Sequence, residues 1–184
     1  MAGLPHGYEV RFAEQLDIPA LIAADRAASE LFRPTGLIPD MGTIPESVPT
    51  DVLSQAIEDR MIIVVADDQG PVGFAMCQIR DELLYLDQVS VDPEHGRKGL
   101  GKVLMFHVFA LAEDHKLSGV ALSTFRDLAW NGPFYRKLGF REIPRKKLDD
   151  WMLEIEAAQA DEMDVTKRCF MKRPVRRGLF RLTR

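Results

Sequence analysis

The stretch "LDQVSVDPEHGRKGLGKVL", residues 86–104, decides how this chain is read. It opens as an alternating strand and turns at Asp92-Pro93. It then runs through Gly96, Gly99 and Gly101, set among Arg97, Lys98 and Lys102, before an apolar periodicity of Leu100, Leu104, Val108 and Leu111 announces a helix. At a strand–glycine–helix junction the first backbone N–H groups of the helix have no intrahelical partner. The helix dipole and the nearby cations add positive charge, so the junction suits a phosphate or pyrophosphate. Two nucleotide readings fail on a residue with a defined task. A Walker loop fits Gly96, Gly101 and Lys102, but Val103 stands where a magnesium-binding hydroxyl is needed. A dinucleotide fingerprint fits Gly99 and Gly101, but Leu104 replaces the third glycine.

Outward from this junction the chain reads as alternating strands and helices. "YEVRFA" (Tyr8 to Ala13) is a short strand, after which Asp17 caps a helix with Pro19 in its first turn. A Pro- and Gly-rich loop from Arg33 to Pro49 precedes a helix capped by Thr50 and ending near Asp59. "MIIVVAD", "VGFAMCQIR" and "LYLDQVSVD" form an antiparallel meander. After the helix from Gly99 to about Lys116, "GVALSTF" follows as a strand parallel to the one before that helix. A short helix in "LAWNGPFYRKLGF" ends at Gly139, and an acidic helix from Asp149 to Ala160 precedes a last strand, "KRCFMKR". The fold class is α+β or α/β: a mixed, mostly antiparallel sheet with helices on both faces. Residues 1–173 read as one domain and residues 174–184 as a basic tail.

Composition narrows the function. With 184 residues, 46% hydrophobic and 28% charged, the chain has enough material for a substantial core. Its formal net charge of −4 conceals eight Lys/Arg and no acid from Lys167 to Arg184, which leaves 16 bases against 28 acids, a net of −12, before them. A basic tail raises nucleic-acid contact, but stacking aromatics are sparse there, and the reading is a solvated tail without a nucleic-acid partner. No apolar run approaches the roughly 20 residues of a membrane span, and no secretory signal pattern opens the chain. Cys77 and Cys169 sit singly in strand-like runs, which reads as buried thiols in a reducing cytoplasm. No histidine has a partner at metal or triad spacing, so no metal is expected. His95 reads as an exposed turn residue and Trp130 as a packing residue.

The residues at 86–104 resemble motif A of the GNAT superfamily of N-acetyltransferases, a strand ending V-x-P followed by [QR]-x-x-G-x-[GA] at a helix start. The departure lies at the [QR] position, which is Gly96, with Arg97 one place late. "AWNGPFYRKLGF" (Ala129 to Phe140) is similar to motif B of that family at Asn131, Phe134, Tyr135, Gly139 and Phe140. Both motifs, in this order with a strand between them, extend the resemblance over nearly the whole chain.

The resemblance implies acetyl-CoA as donor and a primary amine, on a small molecule or a peptide, as acceptor, with direct transfer in a ternary complex. The pyrophosphate would rest on the backbone of Arg97, Lys98, Gly99, Leu100, Gly101 and Lys102. The pantetheine arm would pair with the strand edge at Val89, Ser90 and Val91, beside a splayed parallel strand pair, with an N–H near Val89 polarising the thioester carbonyl. Tyr135 matches the general acid for the leaving sulfur, and Asn131 and Phe134 would touch the cofactor. Asp87 is the candidate base, because an alkylammonium with a pKa near about 10.4 must lose a proton before it attacks. Phe32 and Tyr85 are candidate acceptor contacts, with the Leu31 to Pro49 loop (Glu30, Arg33, Asp40, Glu46, Leu37, Ile38, Met41) around them. The terminal strand offers an edge for a homodimer. The competing class is a non-catalytic acyl-CoA-binding or regulatory module whose basic tail would contact nucleic acid.

Overall fold

A computed structural model describes residues 3–38 and 47–175. Asp40, Met41 and Glu46 of the expected acceptor loop, and the tail from residue 176 onward, lie outside the described residues. The strands are β1 (Glu9–Phe12), β2 (Ile62–Asp67), β3 (Gly70–Arg80), β4 (Leu83–Val91), β5 (Gly119–Phe125), β6 (Arg141–Glu142) and β7 (Arg168–Pro174). Among the described residues they form a seven-stranded sheet in the order β1-β2-β3-β4-β5-β7-β6. The α-helices are α1 (Ile18–Ser29), α2 (Thr50–Glu58), α3 (Leu100–Asp114), α4 (Gly132–Lys137) and α5 (Asp150–Ala160). Antiparallel pairing joins β1 to β2, β2 to β3, β5 to β7 and β6 to β7. Helix α3 carries the chain from β4 to its neighbour β5, which makes them the parallel pair of a mixed sheet.

The chain divides into two compact units, Met1–Gln78 with Leu86–Val108, and Ile79–Tyr85 with Phe109–Arg184. In the first, the β-branched run of β2 supplies Ile62 and Val64, which pack with Phe74 and Met76 of β3 against Leu21 of α1 and Leu53 and Ile57 of α2. In the second, Tyr85, Ala121, Ile143, Met152 and Phe170 form a core edged by Leu83, Leu148, Trp151 and Ile155. The apolar stripe of α3 behaves as its periodicity requires: Leu100, Leu104, Val108 and Leu111 are all buried.

Two expected caps are corrected. Asp17 does occupy the N-cap of α1, but its side chain does not bond the helix. Its carboxylate instead accepts from Arg11 Nη1 at 2.6 Å and Nη2 at 2.9 Å, and from the Glu14 N–H at 2.8 Å. A bidentate guanidinium is a stronger partner than one helix N–H. Thr50 is the first residue of α2, and the cap position belongs to Pro49. Trp130 is 44% exposed rather than in the core. His95 is partly buried rather than exposed, because its Nδ1 shares a 2.8 Å hydrogen bond with the Tyr8 hydroxyl.

Candidate active site

In the first unit the junction at residues 92–102 is shaped by backbone constraints. Asp92 accepts from the Glu94 N–H at 2.9 Å and holds the single turn Pro93–His95. Gly96 has an ordinary φ of −63°, but a Cβ there would lie 2.8 Å from the Pro93 carbonyl oxygen, closer than packing allows. Arg97 then adopts φ 59°, a left-handed conformation that L residues rarely take, and Gly99 follows at φ 83°. The two residues at the altered motif positions therefore answer different demands: close approach at Gly96, a left-handed turn at Arg97. Helix α3 starts at Leu100, whose side chain anchors the turn in the core, while Arg97, Lys98 and Lys102 stay exposed. Lys98 is held in place by Nζ donating to the Tyr8 hydroxyl at 2.8 Å. The result is an exposed helix start with open N–H groups and positioned cations, a fit for a diphosphate.

The strand that leads into this junction is tied from behind. Ser90 is buried, and its hydroxyl donates to Asp25 Oδ1 at 2.6 Å. Gln88 Nε2 donates to the same oxygen at 2.6 Å, and Asp25 Oδ2 accepts from the Val48 N–H at 3.0 Å. Asp25 thus fixes the Gln88–Ser90 segment of β4 and the chain at Val48 to α1. Gly73 of β3 approaches the same segment so closely that a Cβ would fall 2.8 Å from the Ser90 carbonyl oxygen. Val89 and Val91 are partly buried. Asp87 is exposed and accepts from Gln78 Nε2 at 3.2 Å.

The second unit carries the other candidates. Asn131 takes the N-cap position of α4 with no side-chain capping bond. Its Oδ1 is buried and has no hydrogen-bond partner among the described residues. A buried amide oxygen without a donor is costly, and an amide N–H of a pantetheine arm is a group that would satisfy it. Tyr135 is buried, with Phe134 at 5.1 Å and Phe140 at 5.6 Å between ring centroids, both edge-on. Burial pushes the Tyr135 phenol well above its ordinary pKa, the Arg168 cation opposes this, and Tyr85 adds to it. Tyr85 is 2% exposed and meets the Trp151 ring edge-on at 5.3 Å. Phe32 is partly buried in the 3-10 turn Glu30–Thr35, in the first unit.

Sequence reasoning missed Asp25, Trp151 and Arg168. Asp25 had a signal: it falls on the same face of α1 as Leu21, four residues on, and a lone carboxylate on an apolar stripe asks for donors. Trp151 and Arg168 had none, because what marks them is the lack of a partner. Cys77 and Cys169 are buried free thiols, and burial raises both pKa values, that of Cys169 to about 11. Neither is primed as a nucleophile. Among the described residues there is no cluster of three or more potential metal ligands, and no helix is long and apolar enough to cross a membrane.

A glycine-shaped helix start on a tethered strand, followed at the spacing of the second motif by an uncapped asparagine and a buried tyrosine, defines an acetyltransferase class. The family model described as the acetyltransferase (GNAT) family matches residues 29–140, more than half of the chain, and the chain belongs to that family. A peptidyl-lysine N-acetyltransferase, YjaB, of Salmonella typhimurium is 29% identical over 105 residues, which is 57% of this chain and 64% of that protein. The match thus spans less than two thirds of that curated relative's length. The crystal structure of the ribosomal-protein-S18-alanine N-acetyltransferase from Escherichia coli is similar with a TM-score of 0.66 at 18% identity, covering 96% of this chain and 99% of that one. N-acetylglutamate synthase from Neisseria gonorrhoeae, complexed with coenzyme A and N-acetyl-glutamate, gives a TM-score of 0.68 at 16% identity, covering 92% and 35%.

Proposed function

We propose that this chain is an acetyl-CoA-dependent N-acetyltransferase that acts on a primary amine by direct attack, in the cytoplasm. The observation that carries the reading is the exposed start of α3, where Gly96, Arg97 and Gly99 together leave N–H groups open to a diphosphate. The coenzyme A bound in the Neisseria neighbour and the lysine acceptor of the Salmonella relative are consistent with it.

Bound acetyl-CoA would supply the acetyl group as an activated thioester. The N–H groups from Arg97 to Lys102 grip the diphosphate, with Arg97, Lys98 and Lys102 as counter-charges. Val89, Ser90 and Val91 offer main-chain bonds to the pantetheine amides, and the Asp25 tether keeps that segment from shifting. Asn131 Oδ1 accepts an N–H from the same arm, and Phe134 covers it. The Val89 N–H polarises the carbonyl as charge develops on its oxygen. As the amine nitrogen bonds to the acetyl carbon and the carbon–sulfur bond breaks, the amine proton passes to Asp87, directly or through water. Tyr135 donates its phenolic proton to the leaving sulfur. Its raised pKa keeps the donor protonated throughout the physiological range. Phe32 and Tyr85 remain the proposed acceptor contacts, residues 1–173 the proposed domain, and a homodimer a proposed assembly.

Calorimetry with acetyl-CoA, paired with a thiol-release assay across small amines and peptides, tests this. Micromolar binding with acceptor-dependent thiol release is expected. Absence of any heat with either CoA or acetyl-CoA overturns the reading. Binding without release from any acceptor would instead favour the non-catalytic module.

A further inference from the structure

The second unit contains a cation without an anion. Arg168, at the start of β7, is partly buried, and its guanidinium bonds only neutral groups. Nε donates to Gln159 Oε1 at 3.0 Å and to Ser123 Oγ at 3.3 Å. Nη2 donates to the Ser123 carbonyl oxygen at 3.1 Å and to Ser123 Oγ at 3.2 Å. The guanidinium carbon lies 4.8 Å from the Phe125 ring centroid. Among the described residues no carboxylate pairs with it, and Nη1 donates to none of them. Four other arginines do find acids: Arg11 with Asp17, Arg33 with Glu30, Arg126 with Glu142 and Arg145 with Glu156. Desolvation without a counter-charge is expensive, and it depresses the Arg168 pKa.

The surroundings share this imbalance. Ser123, which Arg168 bonds, stands opposite Phe170 in the sheet, and Phe170 shares a core cluster with Tyr85, a proposed acceptor contact; the Arg168 cation also opposes the rise of the Tyr135 pKa. On the ring of Tyr85 lies Trp151, whose indole N–H is buried with no acceptor among the described residues. Among the described residues the region therefore holds one buried donor without an acceptor, Trp151 Nε1, and a guanidinium bonded only by neutral groups. With Nε and Nη2 engaged by Gln159 and Ser123, Nη1 is the end of the guanidinium left to meet a carboxylate, through a charge-assisted hydrogen bond.

We propose that Arg168 docks a carboxylate of the acceptor, so that the substrate is a small amine that also bears a carboxylate, an amino acid or a close analogue. The inference rests on the acetyltransferase reading and names its substrate class. The acidic composition of the chain does not oppose it, since an amino acid is a zwitterion whose ammonium is drawn by the same field that would repel a simple anion.

The test compares matched pairs: L-amino acids, β-alanine and 4-aminobutyrate, each against its carboxamide. Wild-type kcat/KM should favour at least one acid over its amide by about tenfold or more. In Arg168→Gln that ratio should collapse toward one, mostly through KM. Equal wild-type rates on acid and amide overturn the inference, as does an Arg168→Gln loss that falls equally on both. The wild-type comparison decides even if the variant does not fold. Calorimetry of the same pairs in the presence of CoA separates the two readings. Acids that bind but are never acetylated retire the transferase reading and keep the carboxylate site. Acetylation without acid preference does the reverse, and binding of neither member retires the carboxylate site.

Discussion

Arg97 occupies a backbone state that costs an L residue about 1–2 kcal/mol, while its exposed cation faces outward beside the helix start. Stability and binding should therefore part company there. Arg97→Gly is expected to raise stability in urea by about 0.5 kcal/mol, after the added freedom of the unfolded chain is counted, while weakening CoA severalfold. Gly96→Ala should lose on both measures, by about 1–3 kcal/mol in stability, because its Cβ meets a main-chain oxygen at 2.8 Å. Unchanged CoA affinity in Arg97→Gly would show that Arg97 does not touch the diphosphate. At Tyr135, replacement by Phe should lower kcat by about 100-fold, with the CoA dissociation constant unchanged in calorimetry. The phenol pKa is raised, so its acid form persists to higher pH, and the wild-type kcat should show no alkaline decline up to about pH 10 from this group. Gly99, Asn131 and Tyr135 were legible in the sequence because motif spacing alone selects them. Asp25, Trp151 and Arg168 were not, because a partner's absence or a distant donor has no local signature.

The helices and strands follow from their own patterns. The apolar runs of β2 and β3 and the 3.6-residue stripe of α3 gave those elements within one or two residues. Strand β6 had no pattern of its own, being two residues defined by Arg141 opposite Lys172 and Glu142 opposite Met171 of β7. Caps failed for a related reason: a carboxylate chooses its strongest donor in three dimensions, and for Asp17 that is Arg11 of β1. This pair joins β1 to the start of α1, and Asp17→Asn should cost about 2–3 kcal/mol in denaturant unfolding. Burial raises the Asp17 pKa, but the Arg11 and Glu14 bonds win and hold it below its usual value. Its stabilisation is thus present above the ordinary carboxylate pKa and fades as pH falls through the depressed one, so the variant should lack that part of the acid limb. On the alkaline side Cys77, Cys169 and Tyr135 all have raised pKa values, through burial above all. The folded chain then holds protons that the unfolded chain releases, so the urea midpoint should fall as pH rises from about 9 to 11. Cys169→Ala should flatten part of that slope.

For the whole molecule, a ligand that binds only the native state stabilises it by mass action. Acetyl-CoA at about 100 times its dissociation constant should add about 2.7 kcal/mol, a thermal shift of about 5–10 °C for a chain of this size. The absence of any shift, with folded protein, would count against the cofactor. The same chain should not be retained on DNA at physiological salt, since its 28 acids outweigh its 24 bases, and salt-sensitive retention would revive the nucleic-acid reading of the tail. By itself the sequence determined the family and the order of every strand and α-helix except β6, because glycine spacing and hydrophobic period are local properties that survive without coordinates. Only the tertiary structure decided which polar groups find partners among the described residues: Asp17 meets Arg11, Asp25 meets Ser90 and Gln88, Asn131 Oδ1 meets no donor and Arg168 meets no carboxylate. Pairing is settled by residues on different elements, as far apart in sequence as Asp25 and Ser90, and the free energy of a buried polar group depends on what stands across from it.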